Sequence, residues 1–173
     1  MAQTGPEAPA HSLQTDTLII PVAGSTDIWP GADVCTDENG YAVPAADVDG
    51  YVYEGFALNA CDVNGIPVRS ESGKINNADG DDGDVYVRVQ RRGYLRRNTV
   101  APATQAHMSA RAYVFDDNTV ALEQADCVNL VEHGRVMRII SGSQVDVAID
   151  CPCHCNPRVL SGATTTTTTT AGA

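Results

Sequence analysis

Residues 85–97 read VYVRVQRRGYLRR, directly behind an acidic stretch, DGDDGD, at 79–84. Val85, Val87 and Val89 alternate with Tyr86, Arg88 and Gln90. Successive strand side chains point to opposite faces, so a period of two places the valines on one face and the polar residues on the other. This is the pattern of a half-buried antiparallel strand. Gly93 then permits a sharp bend into 94–97. The valines are expected to face a core and the arginines to face out.

The same stretch holds Arg88, Arg91, Arg92, Arg96 and Arg97, five of the eleven Lys and Arg residues in a chain with twenty-two Asp and Glu. Two roles fit such a cluster. The arginines can line a solvated strand face, offset by nearby aspartates, where basic side chains also discourage edge-to-edge pairing. Alternatively they form a basic face that docks an acidic partner, or an acidic loop of a neighbouring subunit such as DGDDGD.

Working outward, short β-rich runs punctuated by Gly, Asn, Asp and Pro fill residues 16–150. Strands are expected at 16–22, 33–36, 41–43, 51–58, 111–115, 119–122, 127–131, 135–140 and 144–149. One more short strand is expected at 65–69, inside a long Asp-rich loop at 62–84. Asn39-Gly40 supplies the positive φ of a hairpin turn, and Gly55 marks a bulge or a close neighbouring backbone. Only 102–111 (PATQAHMSAR) reads as a short helix. Strands at this spacing predict an all-β fold, a small antiparallel β-barrel or β-sandwich, rather than alternating strands and helices.

The ends differ in kind. Residues 1–15 are small, polar and Pro-containing, and read as an N-terminal arm; 151–173 read as a Cys- and Thr-rich C-terminal tail. The run Thr164, Thr165, Thr166, Thr167, Thr168, Thr169 and Thr170 favours extended backbone, as a tail or as an arm that orders against a partner. The first residues lack a basic segment followed by an apolar one, and no apolar run is long enough to span a membrane. A net charge of −11 argues against general nucleic-acid binding. Synthesis in the cytoplasm is the expectation.

Chemistry-bearing motifs are sparse. Cys35, Cys61 and Cys127 read as reduced, mostly buried thiols. Cys151, Cys153, His154 and Cys155 are soft ligands packed into five residues, yet structural zinc sites draw on two separated knuckles. They are the candidate metal or inter-subunit disulfide segment, beside the simpler reading of an exposed reduced tail. The Asp79, Asp81, Asp82 and Asp84 cluster lacks the Gly and Glu positions of an EF-hand, and reads as a turn-forming loop. His107 and Ser109 lie close together without an orienting carboxylate in sequence, so His107 is expected in a loop or cap. No phosphate-cradling, dinucleotide or nucleophile-elbow motif appears, and neither catalytic residues nor a cofactor are assigned.

Several stretches together resemble phage capsid decoration proteins, also called cement or head-stabilisation proteins. They are 27–34 (DIWPGADV), which resembles an entry strand, 53–58 (YEGFAL), 83–93 (GDVYVRVQRRG), 112–117 (AYVFDD), and 134–136 followed by 145–149. The resemblance lies in alternation and glycine placement. It implies a small β-barrel or sandwich that binds the outside of an assembled icosahedral shell and stabilises it. It also implies the major capsid protein as partner, a homo-oligomer (dimer or trimer) on the capsid, location on the virion exterior and no catalysis. The Cys- and Thr-rich tail and the long Asp-rich loop depart from that pattern. Arg88, Arg91, Arg92, Arg96, Arg97 and the threonine run are then the contact candidates. The alternative is a receptor- or glycan-binding β-module of a virion tail or cell surface, which an exposed aromatic platform would favour; Trp29 is read instead as a core-edge residue.

Overall fold

The structure, a computed structural model, describes residues 16–69 and 73–150. The N-terminal arm, the cysteine-rich segment at 151–155 and the threonine run at 164–170 lie outside the described residues.

The chain is all-β, as its alternation predicts. Its strands are β1 (Thr17–Pro21), β2 (Thr26–Ile28), β3 (Asp33–Thr36), β4 (Ala42–Pro44), β5 (Val52–Cys61), β6 (Ile75–Asn77), β7 (Tyr86–Gln90), β8 (Arg92–Thr99), β9 (Arg111–Val114), β10 (Thr119–Ala121), β11 (Glu132–Ser141) and β12 (Gln144–Asp150). A five-stranded sheet runs in the order β1-β7-β5-β3-β4, and a second set closes into a barrel, β10-β8-β12-β11-β9. The barrel is antiparallel except where β10 meets β8 in parallel. The small β2–β6 pair forms a separate two-stranded sheet. The open sheet also curls: Val22, just past β1, bridges Ala42 on the opposite edge strand.

VYVRVQRRGYLRR is the hinge of this architecture. Its first part is β7, between β1 and β5 in the open sheet, and its second part is β8, in the barrel wall. Val87 and Val89 are fully buried. They join Ile20, Val34, Ile75 and others in a core under the open sheet. Val120, Val136, Val145 and Val147 fill the barrel. A third cluster, including Cys35, Val43, Tyr53, Val114, Val131 and Ile149, joins residues of both halves. Burying each such side chain is worth about 1.5–3 kcal/mol, so all three clusters contribute substantially.

Local chemistry sets the turns. Gly40 has φ +86° between β3 and β4, and the Asp37 carboxylate accepts from the Asn39 and Tyr41 amides at 2.9 Å each. Gly55 has φ +133° at an irregularity in the β3–β5 register, and a Cβ there would lie 2.1 Å from the Gln90 carbonyl oxygen. Both the predicted hairpin and the predicted close approach are present.

Four expectations need correction. Residues 65–69 are not a strand: the Asp62 carboxylate accepts from the Asn64 and Ile66 amides, closing a tight turn in which Gly65 has φ +78°. Residues 127–131 are not one either. There the Val128 and Asn129 amides donate to Asp47, at 2.5 and 2.8 Å, instead of to a neighbouring strand. The predicted helix at 102–111 shrinks to one 3-10 turn, Gln105–His107, followed by β9. Finally, 27–34 is broken by a turn at Trp29–Ala32, where the Ala32 amide donates to the Trp29 carbonyl at 3.0 Å.

Candidate functional site

The five clustered arginines do not share one face. Arg88 donates to the Gly65 carbonyl and Arg91 pairs with Glu54 at 3.4 Å, both partly buried on the open-sheet half. Arg92 and Arg96 are exposed and pair with Asp16 and Asp146, at 3.3 and 3.1 Å. Arg97 points inward, with 5% of its surface exposed, and is removed from the contact candidates. The reason is parity. Positions 85, 87 and 89 face the core, and the alternation continues in phase across Gly93 and Leu95 to Arg97.

Inside, Arg97 meets a fully buried carboxylate. Its Nε and Nη2 donate to Asp33 Oδ2 and Oδ1 at 2.5 and 2.7 Å, a bidentate pair. His133 Nε2 lies 2.9 Å from Oδ2, and the Tyr53 hydroxyl donates to Oδ1 at 3.0 Å. The Tyr53 and His133 rings stack with centroids 4.5 Å apart. Arg97 also donates to the Gly31 and Arg96 carbonyls, each at 3.0 Å. Asp33 and Tyr53 belong to the open sheet, Arg97 and His133 to the barrel, so the network clamps the halves together. Burial pushes the Asp33 carboxyl up, but His133 and Arg97 outweigh it and hold it below its ordinary value. Burial, with Asp33 beside it, drives the Tyr53 phenol well up. His133 Nδ1 is buried without a hydrogen-bond partner among the described residues. This arrangement is a fastening, since both Asp33 oxygens and the Arg97 guanidinium are taken up by partners within the protein.

Five basic residues that face out lie on the barrel wall. Arg96 on β8 and Arg138 on β11 flank Asp146 on β12, and Arg138 Nη2 donates to it at 2.5 Å. Partial burial pushes the Asp146 carboxyl up, but the two guanidinium hydrogen bonds prevail and hold it low. In the next row Tyr94 pairs with Ala148, Ala148 with Arg135, and Arg135 with Arg111. Tyr94 is 70% exposed and Met137 is exposed beside the bulge in β11. Arg92 and Arg96 thus flank an exposed tyrosine on β8, and Arg138, Arg135 and Arg111, the last paired with Glu132 at 3.3 Å, continue the outward arginines around the barrel.

The remaining candidates resolve into local roles. Asp82 accepts from the Gly24 amide at 2.7 Å and Asp84 from the Asp81 amide at 2.9 Å, so these carboxylates shape their loop. His107 caps its 3-10 turn: Nδ1 accepts from the Thr104 amide at 2.9 Å, while Nε2 lies 3.1 Å from Glu123. Neither contact involves Ser109. Among the described residues no group of three or more His, Cys, Asp or Glu is placed to hold a metal ion. Cys35 and Cys61 are buried thiols and Cys127 a partly buried one. Trp29 is 54% exposed, not a core-edge residue, with Lys74 Nζ 4.9 Å from its ring centroid. Compared with protein-family models, with curated proteins and with solved structures, the chain finds no match.

Proposed function

We propose that this chain is a structural virion protein that binds the outer surface of an assembled icosahedral capsid and stabilises it, as a decoration protein does. The observation that carries the reading is the barrel exterior, where Arg92 and Arg96 flank exposed Tyr94 and Arg138, Arg135 and Arg111 follow on nearby strands, on a chain of net charge −11. Arginine and tyrosine are the residues that dominate protein interfaces, because both combine apolar area with directional hydrogen bonding. An acidic molecule with one basic face is oriented before contact, since its remaining surface is repelled by an acidic partner. The buried clamp fits the same role: a body fastened inside can present that face rigidly. Repetition over a symmetric shell turns modest contacts into high occupancy, and preferential binding to the assembled state stabilises it. The major capsid protein is the partner in this reading, with the chain bound as a dimer or trimer.

The test is occupancy on purified capsids. A Tyr94→Ser, Arg135→Glu double variant leaves the Arg96–Asp146–Arg138 trio and the buried clamp in place, and should melt like the parent. Its occupancy should fall at least about tenfold, the effect of losing one hot-spot contact. Parent occupancy should weaken as salt rises and screens the charged face. Unchanged occupancy of the variant overturns the assignment of this face.

A further inference from the structure

Trp29, Pro30, Gly31 and Ala32 form one wall of a groove of about 380 Å³, and Asp117 and Asn118 form the other. One wall comes from the turn before β3 and the other from the β9–β10 turn, so the groove spans both halves of the molecule. Its size is at the small end of ligand sites, about 300–1,000 Å³.

Both walls are held by their backbones. The Gly31 amide donates to the Ala57 carbonyl at 2.7 Å, and the Gly31 carbonyl accepts from buried Arg97 at 3.0 Å. Opposite, the Asp117 carbonyl accepts from the Asp33 amide at 2.8 Å and the Asn118 carbonyl from the Asn98 amide at 3.1 Å. The Asn118 amide donates to Asp116 at 2.8 Å. The Asp33–Arg97 clamp therefore sits directly behind the groove and reaches both walls.

The indole is held as well. Lys74 Nζ lies 4.9 Å from the ring centroid and pairs with Asp27 at 3.1 Å. Lys74 is not among the residues that line the groove. A large apolar ring kept half in water on a fixed turn contributes little to the core, but it is ready for a ligand without further ordering.

We propose that this groove binds a neutral saccharide, with a pyranose ring against Trp29 and its hydroxyls donating to the Asp117 carboxylate. The weakly positive C–H face of a sugar matches the negative face of the indole, while its hydroxyls match the polar wall. The Lys74 ammonium against the same ring disfavours a cationic ligand. Partial burial, with Asp116 and Asp33 nearby, pushes the Asp117 carboxyl up, consistent with a half-desolvated acceptor. The inference does not rest on capsid docking, because the groove and the arginine face involve different residues.

Trp29 is the chain's sole tryptophan, so its fluorescence reports on this groove alone. The experiment is an array of immobilised oligosaccharides with neutral terminal hexoses and N-acetylhexosamines, followed by fluorescence titration with the sugars that score. Parent protein should give array signal and saturable fluorescence changes. Trp29→Ala should abolish the array signal while melting like the parent. Asp117→Asn should weaken binding about tenfold, as expected for one charge-assisted hydrogen bond. Tyr94→Ser with Arg135→Glu should bind sugar as the parent does, and Trp29→Ala should occupy capsids as the parent does. Array signal equal in parent and Trp29→Ala overturns the proposal. So does absence of signal in both, saturation by choline but by no sugar, or loss of capsid occupancy in Trp29→Ala.

Discussion

Replacing Arg97 with methionine tests the buried clamp most sharply. Methionine keeps an unbranched apolar stem in place of the arginine stem, so the change is concentrated at the guanidinium. Asp33 accepts two hydrogen bonds from Arg97, has one with His133 and accepts one from Tyr53. The substitution therefore removes two of four contacts and the full positive charge facing a carboxylate with 0% exposure. It also strips a donor from the Gly31 and Arg96 carbonyls. Breaking one side of a buried pair costs about 3–5 kcal/mol, a large share of the about 5–15 kcal/mol that holds a domain together. At about 2–4 °C per kcal/mol for a chain of this size, Tm should fall by about 6–20 °C. Urea unfolding followed by far-UV circular dichroism measures the loss directly. Asp33→Asn in the Arg97→Met background removes the stranded charge, so the double variant should be more stable than the sum of the two single losses by at least about 1 kcal/mol. A single-variant loss below about 1 kcal/mol, or additivity within about 0.5 kcal/mol, would refute the idea that these charges depend on one another.

Other expectations follow from the same geometry. Because the folded Asp33 carboxyl is held below its ordinary value, the unfolded chain binds the proton first as pH falls. Its contribution is therefore complete above about pH 5 and lost progressively below about pH 4, and urea midpoints for Asp33→Asn should show a shallower acid decline than the parent. Gly55→Ala combines φ +133° with a Cβ 2.1 Å from the Gln90 carbonyl oxygen, so unfolding should reveal a loss well above about 1 kcal/mol; a neutral outcome would mean that β5 and β7 can separate freely. The Cys127 thiol is pushed up to about 11 by burial, with Asp47 and Asp126 adding to it. Peptide-resolved iodoacetamide labelling at pH 8 should be slow there and should accelerate as pH approaches 11, whereas rapid labelling at pH 8 would contradict that environment.

The fold was legible wherever a repeat or a turn residue carried it. The alternating valines of 85–89, the Asn39-Gly40 turn and Gly55 each encode their geometry within a few residues, and each sits in the structure as read. The misreadings share another cause. Residues 65–69 and 127–131 have strand-like composition, yet a single carboxylate, Asp62 or Asp47, captures amides there, leaving 65–69 with one isolated bridge, Pro67 to Cys61, and 127–131 outside the strands. Asp62 is local to its turn and could have been weighed as a turn former. Asp47 lies more than eighty residues from the segment it organises, so no window of sequence contains both. Strands β2 and β6, three residues each, are too short to display a period.

The clamp was half legible, and the difference is instructive. Arg97 has the same parity as Val85, Val87 and Val89, with Leu95 before it on the same side. Following that phase through Gly93 would have turned Arg97 inward, and an inward arginine demands a carboxylate because its charge cannot be buried unpaired. What the local pattern cannot supply is which carboxylate. Asp33 lies 64 residues away from Arg97, and His133 lies 100 residues from Asp33. The outward face was obscured in the opposite way: the register shift between Val136 and Arg138 breaks the alternation of β11, hiding that Arg135 and Arg138 share the barrel exterior with Tyr94 and Arg96. One ribbon, VYVRVQRRGYLRR, thus carries both kinds of arginine. Parity separates them, turning Arg97 toward the junction of the two halves and leaving Arg92 and Arg96 for whatever approaches from outside.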